Sequence, residues 1–147
     1  MKILNYSIVV VADRKTAWET MLGAETYKAW TAPFCEGSYY EGSWEQGQKI
    51  LFLSPNGGGM YSVIDENRLH EHLSIKHVGM VSESGVVDTE SDAVKSWAPA
   101  FEKYWFVDTP EGTEIRVSLE TAESWAEMMN AAWPKALGIL KSLCEAR

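Results

Sequence analysis

The chain has 147 residues, the size of one domain, and 46% of them are apolar, which excludes a disordered chain and allows a core without metal or disulfide staples. Thirteen Lys and Arg stand against 21 Asp and Glu, a formal net charge of −8. That balance supplies too few cations to displace counterions from nucleic-acid phosphates or to hold an anionic membrane, so neither is an expected partner. Cys35 and Cys144 cannot build a disulfide framework and lack metal-type spacing. A reducing, cytoplasmic setting is therefore expected.

Ile3 to Val11 is β-branched and apolar and reads as a strand. Its uninterrupted apolar run, Ile8 to Ala12, is too short for a signal segment or a membrane span, so no membrane insertion is expected. Asp13 can cap a short helix over Arg14 to Leu22, with Ala17, Trp18 and Met21 on one face. A second short helix covers Glu25 to Trp30 and is closed by Pro33. Gly37, Gly42 and Gly47 punctuate curved strand segments. Lys49 to Ser54 and Gly59 to Asp65 read as strands around the turn Pro55-Asn56-Gly57-Gly58, and Asp65 to Arg68 turns the chain into a strand over Leu69 to Val78.

Ser82 to Ala98 is polar and acidic, without strand alternation, and reads as a long loop with a helical turn around Asp92 to Trp97. Phe101 to Asp108 and Thr113 to Glu120 form a hairpin. The last element is a long helix, Trp125 to Ala146, with a capping box from Ser124 and Glu127 and an apolar stripe of Trp125, Met128, Met129, Ala132, Ala136, Leu137, Leu140, Leu143 and Cys144. Pro134 lacks an N–H and should loosen this helix near Asn130. The expected architecture is a single α+β domain spanning residues 1–147: a curved antiparallel β-sheet of one strand, then about six more, wrapped around the long C-terminal helix, with two short helices near the N-terminus.

Several segments carry a resemblance: Ala12 to Trp18, Trp30-Thr31-Ala32-Pro33, Cys35 to Trp44 followed by Gly47, Ile75-Lys76-His77-Val78-Gly79, Asp88-Thr89-Glu90-Ser91, and Trp133-Pro134-Lys135-Ala136-Leu137. With the element order, they resemble the START-like (SRPBCC, birch-pollen-allergen-like) helix-grip superfamily. Within it they look like the subfamily related to the C-terminal domain of activators of the ninety-kilodalton heat-shock protein ATPase. The resemblance implies a cavity between sheet and helix. It supplies no fixed catalytic set, because the superfamily includes carriers, cyclases, hydrolases and chaperone partners.

Strand parity selects the side chains for that cavity. A two-residue turn at Glu66-Asn67 pairs Ile64 with Leu69, Ser62 with Glu71 and Met60 with Leu73. Met60, Ser62, Ile64, Glu71, Leu73, Ile75 and His77 then share the inner face, while His70 and His72 face solvent. In the last hairpin a glycine-bulge turn brings Trp105 and Val107 inward, whereas a two-residue turn brings Tyr104 and Phe106 instead. The expected ligand-binding set is completed by Trp105, by Met129 and Trp133 on the helix, and by Trp97 at the mouth. Glu71 and His77 are the polar members, unless Glu71 is a solvated rim residue and His77 a hydrogen-bonded core histidine. His70 and His72 lack a third ligand, so no metal is expected, nor any cofactor or committed catalytic residue.

The first expectation for function is binding of a small hydrophobic or aromatic molecule. The alternatives are a polyketide-cyclase-like enzyme using His77 and Glu71 for acid–base chemistry, or a chaperone-activator-type interaction module with a chaperone or a second copy as partner. The chaperone reading is weakened by the absence of the activators' additional N-terminal domain from this sequence.

Overall fold

A computed structural model describes residues 1–146. The elements run β1 (Lys2–Val10), α1 (Arg14–Leu22), α2 (Ala24–Trp30), β2 (Tyr39–Gly42), β3 (Lys49–Leu53), β4 (Gly59–Arg68), β5 (His72–Val81), β6 (Val87–Asp88), α3 (Asp92–Lys95), β7 (Ala100–Thr109), β8 (Gly112–Thr121) and α4 (Ala126–Glu145). The strands form one antiparallel sheet in the order β1-β8-β7-β5-β4-β3-β2, with the two-residue β6 attached to β5. This is the α+β helix-grip arrangement, with α4 packed against β1, α2 and α1.

Local chemistry accounts for the elements. The Asp13 carboxylate accepts from Thr16 N at 2.8 Å and caps α1, and that contact draws its pKa below the usual carboxylate value. The α4 stripe buries Ala132, Trp133, Ala136, Leu137, Leu140 and Cys144. Pro134 lies inside α4 and has no N–H to give. One turn earlier, the Asn130 side-chain Oδ1 accepts from Tyr6 Oη at 2.6 Å, tying the helix to β1. The expected capping box does not form. The chain enters α4 through a single 3-10 turn, Glu123–Trp125, and the position before the helix is Trp125, with no side-chain cap bond.

Two turns differ from the expectation. β4 continues to Arg68, and the connection to β5 is Leu69-His70-Glu71, with His70 at φ 64°. Ile64 therefore lies opposite Ile75 rather than Leu69, and Ser62 opposite His77 rather than Glu71. The offset is an even number of residues, so Ser62, Ile64, Leu73, Ile75 and His77 keep the inner face. Irregularities between Tyr61 and Ser62 and between Ile64 and Glu66 absorb the rest, and Met60 pairs with Met80.

In the last hairpin Thr109 pairs with Gly112, leaving the two-residue turn Pro110-Glu111. Gly112 has φ 152°, and a Cβ there would meet Val10 O at 2.3 Å, so β1 can lie this close only to a glycine. The register brings Tyr104 and Phe106 inward, and Trp105 goes to the outer face.

Leu137 is 3% exposed in the centre of the α4 stripe. Leu137→Ala is expected to lower the unfolding free energy by about 2–5 kcal/mol in a urea melt, as for other buried leucines. A change under roughly 0.5 kcal/mol would mean the stripe is not the core contact.

Candidate functional site

A cavity of about 190 Å³ lies between the inner face of the sheet, α2 and α4. Seven aromatic side chains line it: Tyr27, Trp30, Phe34, Trp44, Phe52, Tyr104 and Trp133. Trp133 contacts rings inside and outside this wall. Its ring stacks on Tyr6 at 5.7 Å and meets Phe34 edge-on at 5.0 Å. Met21, Leu22, Met60, Ile75, Leu119 and Met129 supply aliphatic surface.

The polar side of the cavity is a hydrogen-bonded chain across three strands. Ser62 Oγ lies 2.6 Å from His77 Nδ1, and His77 Nε2 lies 2.9 Å from Glu102 Oε1. The Tyr104 hydroxyl donates to the other Glu102 oxygen. Cross-strand pairing positions every member: Ser62 is opposite His77, Glu102 is paired with Ile75, and Tyr104 is two residues along the same face of β7.

Ser62 is completely buried, and its hydroxyl bonds to His77 Nδ1. A neutral imidazole satisfies the whole chain, with Ser62 O–H donating to Nδ1 and Nε2–H donating to Glu102.

Burial pushes the Glu102 carboxyl upward. The hydrogen bond from His77, the attraction of its protonated form and the Tyr104 hydrogen bond together outweigh that and hold the pKa below its ordinary value. Burial and the facing Glu102 charge both raise the Tyr104 and Tyr27 phenols, so both stay protonated. Glu102 keeps 24% of its side-chain surface accessible, and it lines the cavity. Two further donors in the wall, the indole N–H groups of Trp44 and Trp133, have no acceptor among the described residues.

The structure divides the sequence-derived set. Met60, Ile75, His77, Met129 and Trp133 lie on the cavity wall. Ile64 and Leu73 are fully buried in the core behind it, and Ser62 supports His77. Glu71 is not at the cavity. It occupies the β4–β5 connection with 58% of its side chain exposed, 3.6 Å from Arg14. Trp105 is on the outer face, stacked on His72 at 5.0 Å. His72 is itself 5% exposed, with Nδ1 at 2.8 Å from Tyr104 O, so it is not the solvent-facing residue that alternation suggested. Trp97 is half-buried just after α3 and is not among the lining residues.

Sequence reasoning missed Glu102. The available signal was parity with Tyr104 and Phe106 under the two-residue turn, but a glutamate in a strand reads as solvent-facing. Among the described residues no group of three or more His, Cys, Asp and Glu is placed to hold a metal, and no helix is long and apolar enough to cross a membrane.

No protein-family model and no curated protein matches the chain by sequence. Solved structures do match by shape. A crystal structure of a Mesorhizobium loti protein superposes with a TM-score of 0.76 at 11% identity, covering 99% of this chain and 98% of that one. The solution structure of the Aha1 dimer from Colwellia psychrerythraea gives 0.72 at 18% identity, covering 99% and 97%. A Chromobacterium violaceum protein gives 0.70 at 15%, covering 99% of both chains. The chain shares the fold of these structures, the Colwellia Aha1 protein among them. At these identities the likeness concerns the fold alone.

A lowered carboxyl pKa has a definite consequence for stability. The contribution of Glu102 is fully present above its ordinary value of 4.5 and is lost as pH falls through its lower, folded-state value. Urea melts from neutral pH down through that range should show a shallower acid-side loss in Glu102→Gln than in the parent protein. Identical slopes would mean that the carboxylate gains nothing from His77 and Tyr104.

Proposed function

We propose that this domain binds a small, compact hydrophobic or aromatic molecule in the cavity between the sheet and α4. The observation that carries the proposal is a void of about 190 Å³ walled by seven aromatic rings, with the His77–Glu102–Tyr104 chain on one side. Binding pockets combine apolar walls with a few polar groups that orient the ligand. Volume selects the size of the occupant. An apolar cavity of roughly 150 Å³ admits benzene, whereas pockets for drug-sized ligands run from about 300 Å³ upward. A one-ring molecule fits that measure. The unpaired indole donors of Trp44 and Trp133 support an occupant with at least one polar atom.

Acid–base catalysis through His77 and Glu71 is not retained, because Glu71 is at the surface. Nor does the Ser62–His77–Glu102 sequence support a nucleophile, since Ser62 is completely buried and does not line the cavity.

The proposal is tested by titrating one-ring aromatic compounds against intrinsic fluorescence, since Trp30, Trp44 and Trp133 all line the wall. Binding should quench the emission. Met129→Trp, which fills space on the α4 side, should abolish binding while the protein remains folded by circular dichroism. Unchanged affinity in that variant would remove the cavity from the account.

A second reading, pairing with another copy of the chain, is supported by the dimeric state of the Aha1 neighbour and by Trp125 and Met128, which are 55% and 38% exposed on adjoining positions at the start of α4. Sedimentation over a wide concentration range should show self-association that Trp125→Lys weakens. A monomer at every concentration would rule this reading out.

A further inference from the structure

Among the described residues, three buried side-chain polar atoms have no hydrogen-bond partner: Trp44 Nε1, Trp133 Nε1 and Ser74 Oγ. Two of the three belong to residues that line the cavity between the sheet and α4. Trp30 in the same wall shows the ordinary arrangement, its Nε1–H donating to Met21 O at 2.9 Å. Trp133 is 4% exposed, so bulk water cannot serve its indole in place of a protein acceptor. A buried donor left without an acceptor loses the hydrogen bond it had in the unfolded chain, and such a loss is rare without a use.

The rest of the wall sets the chemistry of the missing acceptor. Both ring nitrogens of His77 are engaged, and both Glu102 oxygens already accept, so that chain needs no partner from an occupant. What the wall lacks is an acceptor for its indoles, and the Tyr27 phenol, held protonated by burial and by the Glu102 charge, adds a hydroxyl to the same surface. An ammonium group has no acceptor to give. A carboxylate has acceptors, but neither Lys nor Arg lines the cavity and His77 is committed to Glu102, so its charge would enter uncompensated. A carbonyl oxygen has two lone pairs, no charge and no donor of its own to satisfy.

Resting on the cavity reading above, we infer that the occupant is a neutral one-ring molecule bearing a carbonyl group, an aromatic aldehyde, ketone or ester, whose oxygen accepts from the Trp133 indole N–H. Trp133 then determines specificity, and Trp44 offers a second donor in the wall.

The test compares three one-ring probes on the wild-type protein at neutral pH: acetophenone, α-methylstyrene, which replaces its C=O by C=CH2 on the same skeleton, and benzoate. Affinities are read by calorimetry, and the indole N–H signals by proton–nitrogen correlation spectra of protein labelled with nitrogen-15 in tryptophan. Acetophenone should bind about threefold or more tightly than α-methylstyrene, the scale of one net hydrogen bond, and benzoate should bind weakest. The Trp133 indole proton, assigned by through-bond correlation, should move downfield with acetophenone and not with α-methylstyrene. A ratio nearer one or in favour of the alkene, the same Trp133 response to both probes, or tightest binding of benzoate overturns the inference and leaves the cavity reading intact. Failure of all three probes to bind overturns both.

Discussion

A curved sheet with an apolar inner face has to be covered, and here one long helix does most of the covering. A single helix is about 10 Å across with its side chains, too narrow to fill the hollow of a seven-strand path. α4 packs against β1, α1 and α2. In front of β4, β5 and β7, α2, Phe34 and Trp44 stand beside Met129 and Trp133 of α4. Large rings span distances that aliphatic side chains cannot, but flat, rigid shapes do not pack into a concave surface without a remainder. The cavity is that remainder, and its aromatic character follows from the same geometry.

The polar chain inside this apolar setting has a cost that only complete pairing offsets. Both ring nitrogens of His77 and both oxygens of Glu102 are engaged, and the Ser62 hydroxyl completes the series. Such a network is far better satisfied than half-satisfied, which ties the register of β4, β5 and β7 together. A slip of one residue would turn Glu102 to the outer face and strand His77. The network thus supports the fold while leaving one carboxylate at the chamber wall.

The outer face behaves differently from simple alternation. His72 and Ser74 on β5 point away from the helix yet are buried at 5% and 1%. Trp105 from β7 lies over His72, and the imidazole Nδ1–H donates to Tyr104 O. Central strands have neighbours on both sides, so a large side chain on one strand shelters its partner even where no second layer covers the sheet.

The sequence by itself determined the order of elements, the Asp13-capped first helix, the α4 stripe and the inward parity of Ser62, Ile64, Leu73, Ile75 and His77, because these follow from local periodicity and from capping within a few residues. An error of even length in the β4–β5 register left that parity untouched. Turn length was a different matter. Whether Trp105 or Tyr104 faces inward depends on one residue more or fewer between β7 and β8, and the short approach of β1 to Gly112 settles it through backbone contact across the sheet. The placement of Glu71 at the surface and of Glu102 at the cavity was likewise decided only in three dimensions. A carboxylate can be buried only where distant groups donate to it, and the donors here come from His77, 25 residues away in sequence, and from Tyr104, whose own orientation depends on that same turn.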